Sequence, residues 1–161
     1  MGPPRAGSGG LVDADPVPAA IADVPEIERL IAAAYAKYVA RLGKPPSPML
    51  ADYRALVSAA AVWVVRGDDG LAGVLVLLPQ PDHLLLDNIA VAPAQQGRGL
   101  GRQLMAFAEA EARRRGLPEV RLYTHAKMHE NLAIYRKRGY AETGRAEQAG
   151  YDRVFMRKRL A

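Results

Sequence analysis

Apolar residues recur at three- and four-residue spacing from Ile27 through Leu30, Ile31, Ala34, Tyr35, Tyr38, Val39 and Leu42, one stripe along a helix. Asp23 and Glu26 fit an acidic capping box at its start, and Pro25 suits a first turn. Gly43 is a natural stop, with Pro45 and Pro46 beyond it. A second, shorter helix is predicted from Ser47 as N-cap and Pro48 as first helical residue, turning Met49, Leu50, Tyr53, Leu56 and Val57 inward. Three apolar runs follow, at 62–66, 71–78 and 84–91, separated by Gly67-Asp68-Asp69-Gly70 and by Pro79-Gln80-Pro81-Asp82. Such short turns predict an antiparallel meander. Residues 17–21 suggest one more short strand, held to an edge by Pro16 and Pro18.

The second half alternates. A glycine-rich loop at 96–101 opens a long helix to about Arg115, with Leu100, Leu104, Phe107, Ala108 and Ala112 inward. Glu109 with Arg113 and Glu111 with Arg115 are spaced for favourable pairs along its surface. Residues 120–124 read as a strand, 130–138 as a helix ending at Gly139, and 140–144 and 151–160 as a final strand pair. The pattern predicts an α/β fold: a mixed, largely antiparallel sheet of six to seven strands flanked by about four helices. Residues 1–15, rich in Gly, Pro and Ser, read as a flexible tail or tag remnant, and 16–161 as a single domain.

Composition narrows the class. The chain has 161 residues, enough for one sizeable core. It has no cysteine, which excludes disulfides and cysteine-based metal sites. Its apolar runs are too short to span a bilayer, and its first residues lack the basic-then-apolar order of a secretory signal, so the expected location is cytoplasmic, away from membranes. The formal charge of +5 is either a mildly basic surface or an attraction for an anionic ligand. Arg136 to Arg138 and the group Arg153, Arg157, Lys158 and Arg159 carry much of it. Without a groove-reading motif or interleaved aromatics, no nucleic-acid partner is expected.

The informative stretch is Asp87-Asn88-Ile89-Ala90-Val91-Ala92-Pro93, then Gln96-Gly97-Arg98-Gly99-Leu100-Gly101. A strand enters a glycine-rich turn that opens a helix. Free N–H groups and the dipole at such a helix start suit a phosphate or pyrophosphate, and Arg98 and Arg102 add charge. A P-loop would need Lys-Ser or Lys-Thr after the glycines, and a dinucleotide fold would need G-x-G-x-x-G in a βαβ unit. Neither is present. The bland alternative is a helix cap with no ligand.

The segment Gln96 to Gly101 resembles the Q/R-x-x-G-x-G/A signature of the GNAT superfamily of acyl-CoA-dependent N-acetyltransferases. Ile89-Ala90-Val91 and Pro93 are similar to that family's fourth strand. Ala133-Ile134-Tyr135-Arg136-Lys137-Arg138-Gly139-Tyr140 is similar to its A-x-Y-x-x-x-G-F/Y ending. The resemblance covers about residues 17–160 and is strong from 84 to 140. It implies a GNAT-like fold and acetyl-CoA as co-substrate, with no metal. Backbone N–H groups from Gln96 through Gly97, Arg98, Gly99, Leu100 and Gly101 to Arg102 would hold the pyrophosphate. The backbone of Ile89, Ala90 and Val91 would pair with the pantetheine arm, on a fourth strand splayed from the fifth by a bulge, and an N–H near Val91 would face the thioester oxygen. Tyr135 would be the general acid that protonates the leaving thiolate; its other reading is a packed aromatic.

The base stays open. Asp87, placed by strand alternation on the face of Ile89 and Val91, His125, water, or no dedicated base are the candidates. Where the family carries an Asn seven residues before its tyrosine, this chain has Met128; Asn131, four before, either contacts CoA from a shifted helix start or caps the helix. Tyr35, Tyr38 and Tyr53 are core or rim aromatics or line the acceptor pocket. The resemblance thus implies acetyl transfer to a small-molecule or peptide amine in a ternary complex, the alternative being a non-catalytic CoA-binding sensor of the same fold. The acceptor and the oligomeric state are open, a homodimer being the commonest assembly.

Overall fold

The computed structural model describes residues 15–161. The expected tail at 1–15 therefore lies, apart from Asp15, outside the described residues.

Seven strands form one sheet: β1 (Val17–Pro18), β2 (Val62–Gly67), β3 (Gly70–Pro79), β4 (Leu84–Val91), β5 (Glu119–His125), β6 (Ala141–Gln148) and β7 (Tyr151–Arg159). Their spatial order is β1-β2-β3-β4-β5-β7-β6. Every neighbouring pair is antiparallel except β4 and β5, which run parallel. Four α-helices cover the sheet: α1 (Val24–Leu42), α2 (Tyr53–Ser58), α3 (Leu100–Arg114) and α4 (His129–Lys137). The predicted fold class and the antiparallel meander are both present.

The unbroken apolar run of β3 has its cause in burial on both faces. Leu75 and Leu77 join Leu104, Ala108 and Tyr135 in one cluster, while Val74 and Val76 join Ile27, Ile31 and Tyr35 in another. A strand flanked by helices on both sides has no solvent face to keep polar. Leu104 is fully buried, and its truncation to alanine would cost about 2–5 kcal/mol.

Several local expectations are corrected. The first strand ends at Pro18, and Ile21–Asp23 forms a single 3-10 turn. The capping box of α1 does not form. Asp23 is gripped by both Nη atoms of Arg66 on β2 at 2.9 Å and accepts from the Ala20 N–H at 2.8 Å. Glu26 accepts from the Leu71 N–H on β3. Both carboxylates thus tie the helix start to the β2–β3 hairpin. The predicted second helix is two pieces, a 3-10 turn at Ser47–Leu50 and then α2. Its cap is Asp52, which accepts from the Ala55 N–H at 3.0 Å, rather than Ser47. Leu50, expected inward, is 67% exposed. On α3, Glu111 pairs with Arg115 at 2.9 Å as expected and also with Arg114 at 2.6 Å. Glu109 does not pair with Arg113. It lies inward, where Lys158 at 2.9 Å and the Tyr140 hydroxyl at 3.2 Å satisfy a buried carboxylate.

The sheet is open where the site forms. Only Leu84, Leu85 and Leu86 of β4 pair with β5. At the same point the β3–β4 register slips: Val76 faces Asn88 while Leu77 faces Leu86, leaving Asp87 as the extra residue of a bulge. Beyond it β4 loses its parallel neighbour, and a cleft opens between the strands.

Candidate active site

The free edge of β4 is an ordered row of backbone groups. The Ala92 N–H donates to Ala72 on β3 at 2.8 Å. The Ile89 carbonyl instead accepts from the Tyr35 hydroxyl at 3.1 Å, and the Val91 carbonyl from the Gln96 side-chain amide at 3.1 Å. In a strand the N–H and C=O of one residue point the same way and alternate between neighbours. Ile89 and Val91 therefore aim both groups into the cleft, and Ala90 aims its groups at β3.

The cleft continues onto the glycine loop. Gly97 (φ 78°) and Gly99 (φ 85°) take left-handed conformations that a side chain would strain. A Cβ at either would meet nothing within 4 Å, so the loop presents bare backbone to open space. Gly99 precedes α3, whose first N–H groups, those of Leu100, Gly101 and Arg102, have no intrahelical acceptor. Gln96 differs from expectation: its N–H is engaged by the Pro93 carbonyl at 3.3 Å and is not among those offered to a ligand. Arg98 lies exposed within the loop. Arg102, Lys37 and Arg138 line the same cleft.

A narrower cavity lies on the other side, between the loop around Pro46 to Pro48 and the facing ends of β5 and β7. Tyr35, Ile89, Asn131 and Tyr135 line both spaces, so the two meet there. Tyr135 comes from α4, which ends before Gly139 as expected, and its ring packs on Tyr140 with centroids 6.1 Å apart. It is 7% exposed, and among the described residues its hydroxyl has no hydrogen-bond partner. Burial, with a smaller contribution from Tyr38, pushes this phenol well above its ordinary range, so it carries its proton at neutral pH.

Asp87 stands in the narrower cavity. The bulge overturns the alternation argument: Ile89 and Val91 pack against the α3 cluster, whereas Asp87 lines an opening with Asn88, Tyr53 and Tyr123. The Tyr123 hydroxyl donates to Asp87 Oδ1 at 2.9 Å. Burial and this carboxylate push Tyr123 up to about 12. His125, at the end of β5, lines the same cavity, and burial pulls its pKa down, so the ring is neutral at pH 7. Its Nδ1 accepts from the Lys127 N–H at 3.0 Å, which leaves the ring proton on Nε2. Asn131 is the third residue of α4, so it does not cap the helix; its amide donates to Met128 Sδ at 3.6 Å.

The tyrosines of the first two helices are anchors as well as walls. Tyr35 donates to Asn88 Oδ1 at 2.7 Å, and the Asn88 amide donates to the Tyr53 hydroxyl at 3.0 Å. Tyr38 donates to Glu130 on α4 at 3.4 Å. Arg41 grips the same carboxylate at 2.6 and 3.3 Å and holds its pKa down at about 2. This clamp ties α1 to α4 across the rim of the cleft.

Sequence reasoning assigned no role to Asn88, Tyr123 or Arg153. Asn88 had a signal, an amide inside an apolar strand that demands buried partners. Tyr123 and Arg153 had none, because strands β5 and β7 meet only in the folded sheet. Among the described residues no three His, Cys, Asp or Glu side chains converge as metal ligands, and no helix is long and apolar enough to cross a membrane.

Comparison with known proteins places this geometry. The family model described as acetyltransferase (GNAT) family matches residues 26–140. Mouse N-alpha-acetyltransferase 80 is 41% identical over 71 residues, 44% of this chain and 21% of that protein. The chain spans less than half the length of the first curated relatives it matches. Nourseothricin acetyltransferase is 30% identical with a TM-score of 0.57, covering 61% of this chain and 64% of that one. The PaiA N-acetyltransferase from Thermoplasma acidophilum, solved in complex with coenzyme A, shares the fold over 91% of this chain and 98% of its own, with a TM-score of 0.73 at 17% identity.

Proposed function

The chain belongs to the acetyltransferase (GNAT) family, and from that premise we propose that it moves an acetyl group from acetyl-CoA to a primary amine by direct attack in a ternary complex. The observation that carries this reading is the junction at Tyr135. A protonated, unpartnered phenol stands where a cleft edged by open strand backbone meets a separate cavity.

The residues fit acetyl-CoA. The N–H groups of Leu100, Gly101 and Arg102, beside the open space at Gly97 and Gly99, suit the pyrophosphate. The backbone of Ile89 and Val91 suits the amides of the pantetheine arm as an added strand would. An N–H of that edge, near Val91, stabilises the charge that develops on the thioester oxygen.

The amine enters through the narrower cavity. An alkyl ammonium titrates near about 10 and must lose a proton before it can attack. Asp87 is the better placed base, directly or through water, because the acceptor nitrogen of His125 is taken by Lys127. The new C–N bond forms as the C–S bond breaks, and Tyr135 gives its proton to the departing thiolate. The chain has no cysteine, so no cysteine acyl-enzyme intervenes.

Isothermal titration with acetyl-CoA, with ATP and NAD as controls, followed by CoA release over a panel of amines, tests the proposal. Selective acetyl-CoA binding with amine-dependent release is the expected result. Binding without release from any amine fits the sensor alternative, and no binding removes the cofactor assignment.

A further inference from the structure

The narrower cavity holds two opposite charges that do not meet. Asp87 and Arg153 both line it, both half-buried. Elsewhere Arg41, Arg66, Arg114 and Arg145 each grip a carboxylate. Arg153 has none within ion-pair distance among the described residues. Among the described residues its guanidinium's one hydrogen bond goes from Nη1 to the neutral side-chain oxygen of Gln148 at 3.2 Å. A guanidinium has five N–H donors arranged as a fork suited to a carboxylate, so most of this fork is left for a ligand.

Tyr123 stands between the two charges. Its hydroxyl donates to Asp87 at 2.9 Å, and its ring carries the Arg153 guanidinium at 4.2 Å from the centroid. The anionic and cationic groups thus both touch one tyrosine side chain on one wall of the cavity. A second cation stands on Tyr151, which also lines the cavity. The Lys44 ammonium lies 3.9 Å from the centroid of the Tyr151 ring and donates to the Gly150 carbonyl. Asp152, whose charge reaches His125, is exposed.

We infer that the acceptor is a compact amino acid, its amine drawn toward Asp87 and its carboxylate held in the fork of Arg153. The inference rests on the acetyl-transfer reading above and names its substrate class. The short span between the charges suits an α- or β-amino acid. A diamine or a polyamine would set its second cation against Arg153, a like-charge juxtaposition that opposes binding. In the reaction the amine nitrogen gains the acetyl carbon, the sulfur leaves with the proton of Tyr135, and the surplus amine proton passes to Asp87 or water. The carboxylate is unchanged and serves only for recognition.

The experiment is CoA release with free α- and β-amino acids, with their methyl esters and carboxamides, and with diamines of equal length, compared at matched concentrations of unprotonated amine. The acids should be used with kcat/KM at least about tenfold above the esters and diamines. Arg153→Gln should raise KM for the acids on the order of 10–100-fold more than it raises KM for the esters, with the affinity for acetyl-CoA unchanged. Arg153→Lys, which keeps the charge and loses the fork, should fall between. The ester comparison needs no variant, so a misfolded substitution cannot blur the result. Esters or diamines acetylated as well as the acids would overturn the inference and leave acetyl transfer standing. No acetylation of any amine, despite acetyl-CoA binding, would overturn both.

Discussion

Removing the hydroxyl of Tyr135 tests the proposed acid role separately from folding. In Tyr135→Phe the ring keeps its place in the core cluster and its contact with Tyr140. The lost oxygen has no protein hydrogen bond among the described residues, so folding stability should change by less than about 1 kcal/mol. The proposed acetyl-CoA site is built from backbone on β4 and α3, so affinity for acetyl-CoA should stay within a factor of about three. The chemical step alone should suffer. A positioned general acid contributes about 10²- to 10⁴-fold, equivalent to about 2.7–5.4 kcal/mol of barrier. Steady-state CoA release at saturating acetyl-CoA measures kcat, a thermal melt measures the fold, and titration measures binding. Because burial raises this phenol, the wild type should show no loss of its acid at any pH below the ordinary tyrosine range. A variant kcat within threefold of the wild type would refute the acid role, and an equal drop in stability would show that the hydroxyl is structural.

Three further outcomes are expected. Gly99→Glu forces a side chain into a left-handed conformation and sets a carboxylate where the pyrophosphate would lie, so acetyl-CoA affinity should fall on the order of 100-fold; normal affinity would mean the loop is misassigned. Asp87→Asn should lower kcat/KM for amine acceptors by about 10²-fold or more with acetyl-CoA affinity unchanged, whereas unaltered turnover would eliminate Asp87 as the base. Glu111 has its pKa lowered, chiefly by its hydrogen bond from Arg114, so its contribution to stability is present above the ordinary carboxylate range and is lost as pH falls through the lowered value. Glu111→Gln should therefore be less stable than the wild type by about 1 kcal/mol at pH 6, with the partly exposed arginines limiting the effect, and the difference should shrink as the pH falls below the ordinary carboxylate range. Equal urea midpoints at pH 6 would show that the pair contributes nothing.

The parts legible in the sequence are those whose causes are local. The stripe from Ile27 to Leu42 and its stop at Gly43 read as a helix because helical period and glycine chemistry act within a few residues. The meander of β2, β3 and β4 was legible because its turns are short, and the glycine loop because Gly97 and Gly99 are needed for their own backbone angles. Tyr135 stands within a sequence motif, yet two residues that meet it lie outside that motif. Tyr35 and Ile89 reach it from α1 and β4, and nothing in the local spacing of those elements specifies that meeting.

Tertiary structure alone chose the partners of the charged groups. Asp23 and Glu26 are ideal caps by local rules, but Arg66 and the Leu71 N–H, brought up by the β2–β3 hairpin, take both carboxylates. Glu109 is spaced for a surface pair and is drawn inward by Lys158 from β7. Asp87 lost its predicted face because one extra residue in β4 is accommodated as a bulge, a slip settled by the register with β3 and the end of pairing with β5. The cavity wall that joins Asp87 to Arg153 through Tyr123 exists because β7 lies beside β5. Backbone conformation follows from side-chain period and turn chemistry within a short window, while a side chain's partner is decided by whichever distant element packing brings within hydrogen-bond reach.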